Sequence, residues 1–252
     1  RRAPRGGDRV DALVMCGGRG TRLGGDREKP LVRVDGRAMI DRVLDALAAS
    51  RVETVHAVVS PHVPETRERV VARRDAAAER AGAGDGERLD LTVVDAPGDG
   101  YVADLRHVLE SGPKAPVLTV AADLPLLDGP AVDAVLDAHA ASGAGSLSVL
   151  SPAERKRELG ASADAATAED GDADRELAPT GINVVGSLGG DGDEAVRVTR
   201  DARLAVNVNY PADRRLAARL LTGDDPVSLP GGEVDWLGRR GGSEASGGGD
   251  AA

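Results

Sequence analysis

The chain has no phenylalanine, two tyrosines, one tryptophan and one cysteine in 252 residues. A lone cysteine excludes an intrachain disulfide and any cysteine-based metal cluster, and it fits a reducing cytoplasm. Cys16 ends an apolar run, and no histidine is placed to form a dyad with it, so it reads as a small packing residue rather than a catalytic thiol. His56, His62, His107 and His139 are scattered without metal-ligand spacing and read as surface or packing residues. No apolar run approaches the length of a bilayer span, so the chain reads as soluble. Lysine is scarce: only Lys29, Lys114 and Lys156 stand against many arginines, and aspartate outnumbers glutamate. The net charge of −10 argues against general nucleic-acid binding, although a local pocket of Arg and Lys still holds an anion within an acidic surface. Small hydrated carboxylates keep a surface soluble at high salt, so the composition reads as halophilic; high-GC codon bias would favour the same residues.

What is present begins with an apolar strand, Val10 to Cys16, that delivers the loop Gly17-Gly18-Arg19-Gly20-Thr21-Arg22-Leu23-Gly24, followed by Glu28-Lys29-Pro30-Leu31. Glycines at this density leave backbone N–H groups bare enough to wrap a polyphosphate, and Arg22 and Lys29 add a planar fork and a point charge for the phosphates. Two better-known phosphate motifs fail. A P-loop needs its lysine to open a helix, but Lys29 precedes Pro30, whose ring disfavours helical backbone in the residue before it. The dinucleotide fingerprint needs a third glycine where Leu23 stands. A merely flexible connection would have no need for this ordered set of cations and glycines.

The set resembles the signature of nucleotidyltransferases that activate phosphates and sugar phosphates. Asp99-Gly100-Tyr101-Val102-Ala103-Asp104-Leu105, the run Leu118 to Leu124, Pro179-Thr180-Gly181-Ile182-Asn183 and Val206-Asn207-Val208-Asn209 are further similar to segments of archaeal adenosylcobinamide-phosphate guanylyltransferases. The resemblance is colinear from Asp11 to about Leu221, omitting the arm, the region around Glu154 to Glu176 and the tail. It implies transfer of GMP from GTP to adenosylcobinamide phosphate in cobalamin assembly, with Mg²⁺ as cofactor and those two small molecules as partners; a homodimer is one assembly open to it. By resemblance, Gly17, Gly18, Arg19, Gly20 and Thr21 grip the triphosphate, Lys29 reaches the α-phosphate and Arg22 holds the β- and γ-phosphates. Asn207 and Asn209 belong to the phosphate, ribose or metal region, Asn209 as amide partner of Asp123 at the metal, though one Asn reads equally as a strand-end cap. Gly100, Asp104, Gly181 and Asn183 shape the base and acceptor pockets, Gly100 and Gly181 reading equally as turn glycines. Tyr210 departs from the superfamily, which often has Thr there, and so removes a hydroxyl cap.

Short apolar runs alternate with helical patterns, which predicts an α/β fold: a Rossmann-like, mostly parallel sheet with helices on both faces. Expected strands are Val10–Cys16, Thr54–Ser60, Leu89–Val94, Val117–Ala121, Ser146–Leu150, Gly181–Val185 and Leu204–Val208. Ile40, Val43, Leu44 and Leu47 form one apolar helical stripe within Ala38 to Ala49. Val70 to Arg88 reads as an amphipathic helix with a solvated charged face, and Pro211 suits the first turn of a last helix carrying Leu216, Leu220 and Leu221. That arrangement would seat Asn207 and Asn209 at the carboxyl end of a strand, where open α/β sheets bind ligands. Residues 10–223 are expected to form one domain with a solvated loop at about 152–178, between a flexible arm, 1–9, and a flexible tail, 224–252. The arm lacks both an initiator Met and a signal-type apolar segment, and so reads as a processed, truncated or upstream-extended start.

Asp123 ends the strand Val117 to Ala122 at that same edge and is the main metal candidate, the alternative being a helix cap. Mg²⁺ accepts few protein oxygens when phosphate and water complete its shell. A phosphate-monoester nucleophile with a second pKa of about 6 is already ionised near neutrality, so attack on the α-phosphorus needs positioning and charge neutralisation rather than a strong base. Competing readings are a molybdenum cofactor or sugar-phosphate nucleotidyltransferase, which lack Gly-Tyr-x-x-Asp-Leu, and a nucleotide-binding regulator, which would have no use for Lys29 together with Asp123.

Overall fold

A computed structural model describes residues 10–25, 27–82, 90–164, 168–170, 175–186 and 193–237. Its central strand is β1 (Ala12–Met15), flanked in parallel by β4 (Thr54–Val59) and β6 (Val117–Ala121), with β5 (Asp90–Asp95) parallel to β4 at the edge. Beyond β6 the direction reverses. β9 (Arg175–Val185) runs antiparallel between β6 and β7 (Ser146–Pro152), β10 (Glu194–Thr199) lies parallel to β7, and β11 (Trp236–Leu237) closes that edge antiparallel to β10. β8 (Ala168–Asp170) pairs with the start of β9, and β2 (Arg33–Val34) and β3 (Arg37–Ala38) form a separate hairpin around Asp35 and Gly36.

Alternation along β1 sends Ala12 and Val14 to one layer and Leu13 to the other, all fully buried, as expected where helices cover both faces. The first layer holds α1 (Met39–Ala48) and α4 (Gly129–Ser142), whose Ile40, Val43, Leu44, Leu47, Val132 and Val135 are sealed against the sheet. The second is built on Val108 of α3 (Tyr101–Ser111) with Val58 and Val117. A third cluster joins Met39, Leu126, Leu159, Val206 and Val208 to Leu216 and Leu220 of α7 (Pro211–Thr222). α2 (Pro64–Gly82) begins six residues ahead of the expected Val70; residues 83–88 of that expectation lie outside the described residues.

Three expectations are corrected. Leu204–Val208 is not a strand: Ala202–Ala205 is a short helix, α6, because the Asp201 carboxylate accepts the Arg203 N–H and starts a turn. Leu204, Val206 and Val208 are buried by packing rather than by a ladder, and burial alone does not distinguish the two. Within 152–178, Ala153–Leu159 forms α5 and β8 and β9 follow, so the described part of this segment is structured. Of the expected tail, residues 224–237 are not loose: Val234 is buried, Trp236 and Leu237 pair with β10, and Gly232 O accepts from Arg203 Nη2 at 2.9 Å. Residues 1–9 and 238–252 lie outside the described residues.

Candidate active site

The loop after β1 folds back over Lys29. Gly18 O accepts the Lys29 N–H at 3.3 Å, and a Cβ placed on Gly20, which sits at φ +73°, would stand 3.2 Å from Lys29 Cα. The glycines therefore have a second duty besides exposing amides: they let the loop lie against the lysine stem. From below, Pro30 and Leu31 are buried in the 3-10 turn Lys29–Leu31. Glu28 anchors the turn to a helix, its two carboxylate oxygens accepting the N–H groups of Glu65 at 2.9 Å and Thr66 at 2.6 Å in the first turn of α2.

So held, Lys29 Nζ donates to Asp123 Oδ2 at 2.5 Å and to Asn209 Oδ1 at 2.7 Å. Asp123 follows β6, and its backbone oxygen accepts the Val208 N–H, which fastens the 206–209 segment to the end of the strand. Asn207 Nδ2 donates to Asp123 Oδ1 at 3.2 Å and to Thr180 O at 2.9 Å. That second bond depends on an irregularity in β9. Between the pairs Ser148↔Asn183 and Leu150↔Pro179, Thr180, Gly181 and Ile182 face one residue, Val149. Gly181 there has φ +85°, and a Cβ on it would lie 3.0 Å from Asn207 Nδ2.

Three residues outside the expected set complete this end. Lys156 of α5, 4 % exposed, donates to Asn207 Oδ1 at 2.9 Å. Burial pushes its ammonium below the usual lysine range, while Asp123 and Asp213 pull the other way. Asp213 accepts the N–H groups of Asn209 and Tyr210 at 3.0 and 2.8 Å and so supplies the cap that Tyr210 lacks. Thr180 contributes its carbonyl. Composition held the signal for Lys156. In a chain that uses Arg nearly everywhere, two of its three lysines sit here, and a compact ammonium fits a closed pocket that a guanidinium fork would overfill.

A cleft of about 290 Å³ runs from Lys29 and Asp123 to Gly17, Gly98, Gly100, Tyr101 and Asp104. Asp104, in the first turn of α3 and 5 % exposed, accepts the Gly98 N–H on Oδ1 at 2.8 Å. Arg19, Thr21 and Arg22 are exposed and do not line this cleft; Arg19 Nη2 lies 2.9 Å from the ring nitrogens of His62, and the Arg22 charge acts on Tyr210. Asn183 is not among these residues. Its Oδ1 accepts the Val149 N–H at 3.0 Å and Thr180 Oγ1 donates to Val149 O at 2.8 Å, so both backbone groups orphaned by the β9 irregularity are satisfied, and Asn183 serves the sheet. Cys16 is buried and its thiol is pushed up to about 12, which fits packing. A larger trough of about 860 Å³ lies between α2 and the β2–β3 hairpin, but its Arg69 and Arg73 are tied to Asp41 and Asp45, so it is a structural ion-pair network.

Among the described residues, no group of three or more His, Cys, Asp or Glu side chains is placed to hold a metal. A carboxylate oxygen of Asp123 and the amide oxygen of Asn209 do converge on one cationic centre, the Lys29 ammonium. Such a pair of hard oxygens suits Mg²⁺ when phosphate oxygens and water supply the remaining ligands.

A family model described as a MobA-like NTP transferase domain matches residues 12–179. An adenosylcobinamide-phosphate guanylyltransferase of Methanocaldococcus jannaschii is 30 % identical over 220 residues, covering 85 % of this chain and 99 % of that one. The bifunctional protein GlmU of Bifidobacterium longum subsp. infantis is 33 % identical over 137 residues, 53 % of this chain and 27 % of its own length. Among solved structures, HddC from Yersinia pseudotuberculosis, complexed with GMP-PN, superposes with a TM-score of 0.57 at 14 % identity, covering 83 % of this chain and 98 % of that one. A CMP:2-keto-3-deoxy-manno-octonic acid synthetase complexed with CTP superposes with a TM-score of 0.53 at 14 % identity, covering 86 % of this chain and all of the other.

Proposed function

Because the chain belongs to the MobA-like NTP transferase domain family, we propose that it transfers GMP from GTP to adenosylcobinamide phosphate, forming adenosylcobinamide-GDP and pyrophosphate. The observation that carries the transfer chemistry is the convergence of Asp123 and Asn209 on the Lys29 ammonium, with Lys29 and Asp123 lining a glycine-rich cleft. Support for the acceptor comes from the colinear relative, which matches nearly end to end.

In this reading an oxygen of the acceptor phosphate attacks the α-phosphorus of GTP, the bond from that phosphorus to the bridging oxygen breaks, and pyrophosphate leaves in line. The nucleophile is already ionised, so the residues need only orient and neutralise. Backbone amides of Gly17 to Gly20 surround the outer phosphates, the exposed Arg22 of the same loop adds a guanidinium, and Lys29 meets charge developing at the α-phosphate. Asp123 and Asn209 would hold Mg²⁺, which supplies Lewis-acid charge to the phosphate oxygens. Asn207, tied to Thr180 O and Lys156, keeps the Asp123 carboxylate aimed into the cleft. The single cysteine and acidic composition support a reducing cytoplasm at high salt as the setting, and no helix among the described residues is long and apolar enough to cross a membrane.

Purified protein supplied with GTP, Mg²⁺ and a panel of acceptors tests this reading through pyrophosphate release and product mass. GMP is expected on adenosylcobinamide phosphate and absent from unphosphorylated adenosylcobinamide, whose neutral hydroxyl would need a base. GMP found on a sugar 1-phosphate or on molybdopterin alone would replace the acceptor while leaving the transfer chemistry standing.

A further inference from the structure

Asp104 is a carboxylate fixed on one side and free on the other. Gly98 N–H holds Oδ1, the first turn of α3 holds the backbone through Asp104 N–H to Gly100 O, and no described residue donates to Oδ2. Oδ2 faces Gly17, where a Cβ would come to 3.6 Å, so glycine there leaves the carboxylate open toward the cleft that Asp104 itself lines. Tyr101, at the same end and 48 % exposed, offers an aromatic face beside it.

A carboxylate only accepts hydrogen bonds. It therefore sorts nucleobases by how many N–H donors they present side by side. Guanine places N1–H and the 2-amino group next to each other; adenine and cytosine present one amino donor beside a lone pair, and uracil one N–H between two carbonyls. Resting on the nucleotidyltransferase reading above, we infer that Asp104 is the residue that selects the base, accepting N1–H and the 2-amino group of a guanine nucleotide whose phosphates lie at the Lys29 end. Adenine and cytosine would bring a lone pair against a carboxylate oxygen, a repulsion added to a missing bond. Gly98 supports the selection by holding the carboxylate in plane, and Asp104 is a specificity residue remote from the bond being broken.

The experiment compares GTP, ITP, XTP and ATP with the wild-type protein and with Asp104→Asn, reading kcat/KM from pyrophosphate release and checking that the variant is folded by circular dichroism. Inosine lacks the 2-amino group, so wild type should use ITP about 10-fold to 100-fold less well than GTP, the worth of a hydrogen bond to a charged partner. Xanthine carries a carbonyl in place of that amino group; the asparagine amide donates to it while still accepting N1–H, so the variant should lose GTP and gain XTP, inverting their ratio. Wild type that uses ITP as well as GTP, or that prefers another base, overturns the inference, and so does a folded Asp104→Asn whose GTP-to-XTP ratio is unchanged. Absence of pyrophosphate from every nucleotide with wild type would defeat the transferase reading instead, and the two failures are thereby distinguished.

Discussion

Lys29 and Asp123 are the residues whose loss should separate chemistry from folding. Their ion pair is partly exposed, so its contribution to stability is modest, whereas a preorganised charge facing the α-phosphate is worth roughly a hundred- to thousandfold in rate. Lys29→Ala and Asp123→Ala should each lose turnover on that scale while keeping the wild-type circular dichroism spectrum; near-normal pyrophosphate release from either would remove that residue from the mechanism. Lys156 makes a different prediction, about pH. Its folded pKa is lowered from 10.5, so between the lowered value and 10.5 the unfolded chain binds more protons than the native one and stability rises with pH. Urea unfolding of wild type should therefore gain on Lys156→Met across that window, and parallel profiles for the two would show that burial does not shift the group. Lys29 was legible because its neighbours are local in the chain, a glycine loop and a proline. Lys156 was not, because it comes from a stretch so rich in charge that its composition reads as solvated, and only the packing of α5 against β9 turns it inward.

At the scale of elements, the site rests on junctions rather than on lengths of helix or strand. Glu28 is one: two backbone donors at the start of α2 end on its carboxylate, and the next residue is Lys29. Glu28→Gln leaves one amide oxygen where two carboxylate oxygens served and removes the negative charge from the helix N-terminus. It should cost about 1 kcal/mol in urea unfolding and lower turnover by displacing Lys29. Unchanged stability would mean that water replaces the cap at no cost. The regular elements were readable from periodicity: the α1 stripe and the β1, β4 and β6 runs lie within a residue or two of expectation. Misreadings fell where a side chain overrides pattern. Asp201 turns an apolar run into α6, and Asn183 sits in a motif-like segment yet repairs a ladder, since an amide that completes a sheet looks the same in sequence as one that binds a ligand.

For the whole molecule the question is which charges salt weakens most. The net charge is −10, while many pairs that offset it are exposed, Arg67 with Asp95 being 48 % and 65 % accessible. Such pairs are worth about 0–1 kcal/mol, and the buried contact of Arg203 with Asp201 is poorly screened, so added salt relieves long-range repulsion more than it loses attraction. The melting temperature should rise between dilute buffer and molar KCl, and a flat or falling profile would contradict a halophilic design. One further property follows from how residues 206–209 are fastened. Val208 is tied to the end of β6, Asn207 to the irregular turn of β9 and Asn209 to the first turn of α7 through Asp213, so three separate elements would have to part before this wall could swing. Across the cleft stands the opposite kind of construction, an exposed loop rich in glycine whose backbone leans on one lysine stem. Adaptation to a bound triphosphate is therefore expected to be one-sided: the 206–209 wall serves as an anvil, and movement is left to the glycine loop.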